Sequence, residues 1–210
     1  MTAAYDFDGK VRLADPDRWM SSRFISDEAA RADLMVLYAL EAELAAIPTK
    51  VVQPMLAEMR YAWWREQLDG VFTGEPRRGH PLLEALAGVV ERGGLERAAF
   101  EALIEAHIGR AHGEPHDITG LFVAPMQMAT RVLVGGGHEA AVAAAGEVWG
   151  LTMTGRAAEA EALRPAANTA LKRLPARGFP AVAHAALARL DRAEALKRLR
   201  LVWAVARGRI

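Results

Sequence analysis

The sequence predicts an all-α fold, a single-domain helical bundle over residues 1–210, and three observations carry this. Apolar residues make up 52% of the chain, Ala and Leu are abundant, and there is no cysteine, a composition that suits helices more than sheet. Apolar positions recur at three- and four-residue steps, and no stretch shows strand alternation between hairpin turns. Gly and Pro punctuate these periodic stretches. With 210 residues the chain can bury one sizeable core, and no shift of composition marks a domain boundary.

Asp15-Pro16-Asp17-Arg18 reads as a turn opening a short helix, with Asp17 as its cap. Ser26 can cap the next helix, with Asp27 and Glu28 in its first turn favoured by the helix dipole. That helix runs to about Ile47, where Pro48 removes a backbone donor; Leu34–Leu40 is apolar on all sides and should be deeply buried. From about Pro54 to Phe72, Met55, Met59, Ala62 and Trp63 form an apolar stripe extended by Trp64, Leu68 and Phe72. Glu58, Ala62, Arg65 and Asp69 share a second face, where the charges can pair with one another.

Gly74-Glu75-Pro76 and Gly79-His80-Pro81 are breakers, and Pro81 suits the first turn of a helix to about Arg92, stopped by Gly93-Gly94. Leu95–Ile108 is helical by periodicity, and Gly113-Glu114-Pro115 interrupts. Thr119 to Val134 forms another helix, stopped by Gly135-Gly136-Gly137. One helix is expected from His138 to about Leu163, then short helices among Pro165, Pro175 and Pro180, and a final helix over Asp191–Ala206.

The formal net charge is zero, but its distribution is uneven. Residues 1–163 hold 15 Lys and Arg against 24 Asp and Glu, whereas residues 164–210 hold 11 against 2. A basic tail implies an anionic counterpart: a membrane surface, or the acidic body of the same protein. The last helix combines Leu196, Leu199, Val202 and Trp203 with Lys197, Arg198 and Arg200. It reads as the final helix of the bundle, with peripheral membrane contact through residues 191–207 as a second expectation. No apolar run approaches the roughly 20 residues that span a bilayer, and MTAAYDFDGK lacks the apolar segment of a signal peptide. The expected location is cytoplasmic, peripheral at the inner membrane at most, with no nucleic-acid partner.

Few residues carry a chemical signal of their own. His107, His112 and His116, with Asp117, are spaced by five and four, but Gly113 and Pro115 intervene, so a polar loop is the better reading than a metal site. Ser21 and Ser22 have no base partner in sequence. Gly135-Gly136-Gly137 follows a helix rather than a strand, which makes it a cap and not a phosphate loop. Trp63, Trp64 and Trp149 read as core packing.

Several stretches, in order and spacing, resemble the squalene/phytoene synthase family: DPDRW, LYALEAELA, the Pro54–Leu86 segment with its double tryptophan and His-Pro helix start, Phe100-Glu101-Ala102-Leu103-Ile104, and WGLTMTGR. The resemblance implies an isoprenoid-synthase-type bundle, here shortened. It also implies magnesium, held by carboxylates on facing helices to neutralise a departing diphosphate. The family's first Asp-rich motif follows a Tyr-Ala lead-in, resembled by Tyr38-Ala39-Leu40, and its Asp positions fall on Ala45, Ala46 and Thr49. The second follows a lead-in resembled by Leu151-Thr152-Met153-Thr154-Gly155-Arg156, and its Asp positions fall on Ala157 and Glu161. No Asp stands anywhere from Ile118 to Leu190, so a shift of register does not supply one.

The residual candidates are Glu41, one turn before Ala45, with Glu161 and Arg156; the two carboxylates could face one cavity and share a cation, or pair with Arg156. LYALEAELA, with Glu43 in the catalytic stretch, looks more like the family's branch of respiratory complex I assembly factors. The expected function is therefore that of a non-catalytic member, a pseudoenzyme in an assembly or membrane-associated role beside a protein partner. No cofactor is expected in that case. The alternative is a divergent head-to-head prenyltransferase using Mg2+, or an isoprenoid-binding protein.

Overall fold

A computed structural model describes residues 5–51, 53–187 and 194–210. Among them every regular element is helical: α1 Phe7–Ala14, α2 Pro16–Ser22, α3 Glu28–Lys50, α4 Pro54–Thr73, α5 Pro81–Gly93, α6 Arg97–Ala111, α7 Ala124–Val134, α8 Glu139–Met153, α9 Ala157–Ala170 and α10 Glu194–Arg207. A π turn, Thr119–Val123, leads into α7, and three short 3-10 turns occupy residues 171–187. The expected all-α bundle is what forms.

Capping aspartates set the early boundaries. Asp15, not Asp17, caps α2, its Oδ1 accepting from Arg18 N at 2.9 Å. Asp27, not Ser26, caps α3, accepting from the amides of Ala29 and Ala30. Each carboxylate satisfies helix-start donors that would otherwise be left unpaired.

Pro48 does not end α3, which continues to Lys50. Proline removes the donor that would have bonded Leu44 O, and the Tyr61 hydroxyl of α4 donates to that carbonyl instead, at 3.2 Å. A neighbouring helix thus supplies what the ring took away.

The middle of α3 is the deepest part of the molecule: Leu34, Leu37, Ala39 and Leu40 are fully buried. With Tyr61, Leu68, Leu82, Leu83, Leu86, Phe100, Leu103 and Ile104 they form one apolar cluster from α3 to α6. A second cluster joins α8, α9, the 3-10 turns and α10 around Val142, Val148, Val182 and Leu201. Trp19 of α2 packs against both.

Three expected faces are corrected. On α4 the buried residues are Ala57, Tyr61, Trp64, Leu68 and Val71, while Met55 and Met59 are exposed and Trp63 is half-buried. Packing against α5 and α6 selects the tyrosine side of the helix. The α4 charges pair outward: Arg65 with Glu101 and Glu105, Asp69 with Arg97, and Glu58 with His112, all across to α6 or its end. On α10, Leu201 and Ala204 are buried, and Leu196, Leu199, Val202 and Trp203 are exposed. Asp191, the expected start of that helix, lies outside the described residues.

The helix expected from His138 to Leu163 is two. Gly155 takes φ +80°, a left-handed conformation that glycine adopts without steric cost, and α9 folds back along α8. Pro165 lies within α9 instead of ending a helix. Two glycines of α8 let it approach the π turn. A Cβ on Gly146 would lie 2.8 Å from Val123 Cα, and one on Gly150 would lie 2.8 Å from the Phe122 ring.

Gly146→Ala tests this contact. Overpacking against backbone costs about 1–3 kcal/mol, more than the gain of about 1 kcal/mol from replacing a mid-helix glycine. Urea unfolding should show a net loss of stability; a raised midpoint would contradict the close approach.

Candidate functional site

A cleft of about 500 Å3 lies between α3, α6, the π turn and α8, with Asp15 and Arg18 at one end. Residues at three- and four-residue steps share one side of a helix, so α3 lines the cleft with Tyr38, Glu41, Ala42, Ala45, Ala46 and Thr49. His107 and Arg110 come from α6, Leu121 and Phe122 from the π turn, and Trp149 and Met153 from α8. His116 also reaches the cleft from the loop after α6.

Glu41 and Arg18 form a buried ion pair, the guanidinium donating through Nη1 to Glu41 Oε2. Arg18 Nε lies 3.4 Å from Asp15 Oδ2, and the guanidinium sits 5.1 Å from the Tyr38 ring centroid. Burial opposes the charge on Arg18, but the Glu41 and Asp15 carboxylates outweigh it and raise its pKa. Burial pushes the Glu41 carboxyl up, against the pull of Arg18. It pushes the Tyr38 hydroxyl up as well.

Glu41 Oε1, Arg18 Nε and His107 Nδ1 are buried without a hydrogen-bond partner among the described residues. Burial, with Arg110 nearby, pushes His107 down to about 3. His184, stacked edge-on to Trp149 at 5.1 Å, is pushed well down by burial and by the charge of Arg18. Both imidazoles are therefore neutral at pH 7.

The other candidates lie elsewhere. Arg156 pairs with Glu159 at 2.6 Å at the exposed start of α9. Glu161, also exposed, lies 3.2 Å from the buried Arg164. Neither is among the residues that line the cleft with Glu41, and their described ion pairs are with Glu159 and Arg164. The turn at Gly155 sets α9 back along α8, and Arg156 and Ala157 at its start are exposed. His107 sits within α6 instead of a polar loop, His112 pairs with Glu58, and Asp117 caps the π turn by accepting from Thr119 N. Ser21 donates to Pro180 O at 2.5 Å, a structural bond.

The cleft residues do not fit a carboxylate-held magnesium cluster, which needs several oxygen ligands in octahedral array. Ala45 and Ala46 offer no side-chain oxygen, and Thr49 Oγ1 donates to Ala46 O at 2.7 Å. Glu41 and Asp15 are both engaged by Arg18. Among the described residues no group of three or more His, Cys, Asp or Glu side chains is placed to hold a metal ion.

Sequence reasoning missed Arg18 as a member of the site, and His184, which packs on the cleft's Trp149 without lining the cleft itself. Arg18 stands inside the DPDRW stretch, and a buried arginine demands a carboxylate partner; nothing in the sequence names Glu41 as that partner. His184 sits in an apolar run, Val182–Leu187, where an imidazole is conspicuous.

The neutral His107 has a consequence in acid. Its folded pKa is about 3 against an ordinary 6.5, so below 6.5 the unfolded chain takes up a proton that the folded chain refuses. Stability is full above that pH and falls as pH drops toward 3, at up to about 1.4 kcal/mol per pH unit for one such group. His107→Gln should flatten the pH dependence of urea unfolding between pH 6 and 4 by up to about one proton. An unchanged slope would place a charged or solvated imidazole there.

A family model described as squalene/phytoene synthase matches residues 11–121, which holds the second half of α1, α2 to α6, the π turn's first residues and the whole α3 wall of the cleft. No curated protein and no solved structure matches the chain. The match covers just over half of the 210 residues, and with the all-α bundle around it the chain belongs to the squalene/phytoene synthase family.

Proposed function

We propose that this chain is a squalene/phytoene synthase family protein that does not transfer prenyl groups. It acts as an assembly or membrane-associated partner protein, peripheral at the cytoplasmic side of the inner membrane, with respiratory complex I as the assembly it serves. One observation carries the non-catalytic part. The α3 wall presents Ala45, Ala46 and Thr49 to the cleft, and its carboxylate, Glu41, is engaged by Arg18. Ionising a prenyl diphosphate calls for cations at the departing phosphates; this wall offers them a single carboxylate, already paired with an arginine. The complex I part is supported by the likeness of Leu37–Ala45 to that branch of the family.

A second reading, an isoprenoid-binding protein or a divergent prenyltransferase, is favoured by the cleft itself. Its volume is about 500 Å3, and Leu121, Phe122, Trp149 and Met153 give it apolar walls, as small-molecule sites have.

Farnesyl or geranylgeranyl diphosphate with Mg2+ separates these readings. No pyrophosphate release above the protein-free rate is expected. Release that disappears in Glu41→Gln would overturn the non-catalytic reading. For the partner role, tagged protein isolated from gently solubilised membranes should bring down complex I subunits, identified by mass spectrometry, and their absence would remove that assignment.

A further inference from the structure

We propose that the outward face of α10 is an interfacial anchor for a membrane carrying anionic lipid. This deepens the membrane-associated part of the reading above and does not depend on whether the cleft is catalytic.

The helix meets the bundle through Leu201 and Ala204, both fully buried. Lys197 donates to Asp17 at 2.9 Å and ties α10 to α2. At roughly 100° per residue, Leu196, Leu199, Val202 and Trp203 fall on the side away from Leu201 and Ala204. They are 45%, 66%, 52% and 39% exposed. The solvent side of a bundle helix is ordinarily polar; here it carries four exposed large apolar residues.

The charges lie along the borders of this stripe. Arg200 and Arg207 flank one edge, their guanidinium groups 4.6 and 5.1 Å from the Trp203 ring centroid. Arg200 also donates to Ala186 O at 3.4 Å. Arg198, paired with Glu194, stands on the other edge. From 194 to 210 there are five Lys and Arg and one acid, Glu194. Apolar residues with a tryptophan, edged by arginines whose stems can follow them inward, suit a helix lying at the boundary between headgroups and acyl chains. No described helix is long and apolar enough to cross a membrane.

Charge selects lipid over a second copy of the chain. Two copies meeting through this stripe would bring two basic borders, each with Arg198, Arg200 and Arg207, to one interface. An anionic bilayer accepts the apolar stripe and the arginine borders at once.

The full chain sedimented with vesicles tests this. Binding to phosphatidylcholine vesicles containing phosphatidylglycerol should exceed binding to phosphatidylcholine alone by roughly tenfold or more, and high salt should weaken it. Leu196→Asp with Leu199→Asp changes only exposed positions, so the thermal unfolding profile should persist while vesicle binding is lost. Vesicles should shift tryptophan emission to shorter wavelength, and Trp203→Phe should remove that shift. Equal binding to both vesicles, or unchanged binding by the double variant, would overturn the proposal. So would a concentration-dependent dimer that Leu199→Asp dissolves, since the stripe would then belong to a second copy. Pyrophosphate release is a separate readout: turnover would reverse the non-catalytic reading and leave vesicle binding as the measure of the anchor.

Discussion

The buried pair between Arg18 and Glu41 is the constraint around which the two halves of this molecule meet. Arg18 belongs to a seven-residue helix, Pro16–Ser22, and Glu41 to the most deeply buried stretch of α3. His184 feels the Arg18 charge from the C-terminal 3-10 turns, and Ser21 bonds Pro180 O in the same region. Removing one member of such a pair strands the other in a poorly solvated site, at a cost of about 3–5 kcal/mol. Replacing both with apolar residues of similar volume can be close to neutral. The pair therefore specifies an arrangement more than it adds stability: α2 can seat only where its guanidinium finds a carboxylate.

The surface pairs do a different kind of work. Arg65, Arg97, Glu101, Glu105 and Asp69 lace α4 to α6 in largely exposed contacts, each worth little in water. The α4–α6 seam is held by burial of Tyr61, Leu68, Phe100 and Leu103, while the charges bias its register. A second cleft, of about 470 Å3, has Glu96, Arg131 and Glu139 along it, and these satisfy one another. Only around Arg18 and Glu41 do buried polar atoms without partners meet an open volume among the described clefts.

Most of the fold was legible because its signals are local. Gly and Pro mark the ends of α4, α5 and α7, and the all-apolar run from Leu34 to Leu40 announces its own burial. What was not legible depended on distant partners. Pro48 reads as a stop unless Tyr61 is known to cover Leu44 O. Met55 and Met59 are as apolar as Trp64, and only the placement of α5 and α6 decides which side of α4 is covered. Glu41 could be found from its spacing to Ala45 along one helix, whereas Arg18 lies on another element 23 residues away. Arg156 and Glu161 were drawn toward Glu41 by their place in a family motif, whereas their described ion pairs, beyond the turn at Gly155, are with Glu159 and Arg164.

That reversal at Gly155 also bears on what substitution could build in the cleft. Carboxylates placed at 45, 46 and 49 would line one wall of the cleft, but the opposite wall is Leu121, Phe122 and Trp149. Position 157, where a second set of ligands would be sought, is an exposed residue at the start of a helix that packs back along α8. Side chains can be exchanged one at a time, whereas the direction in which α9 leaves Gly155 belongs to the backbone and to its packing along α8.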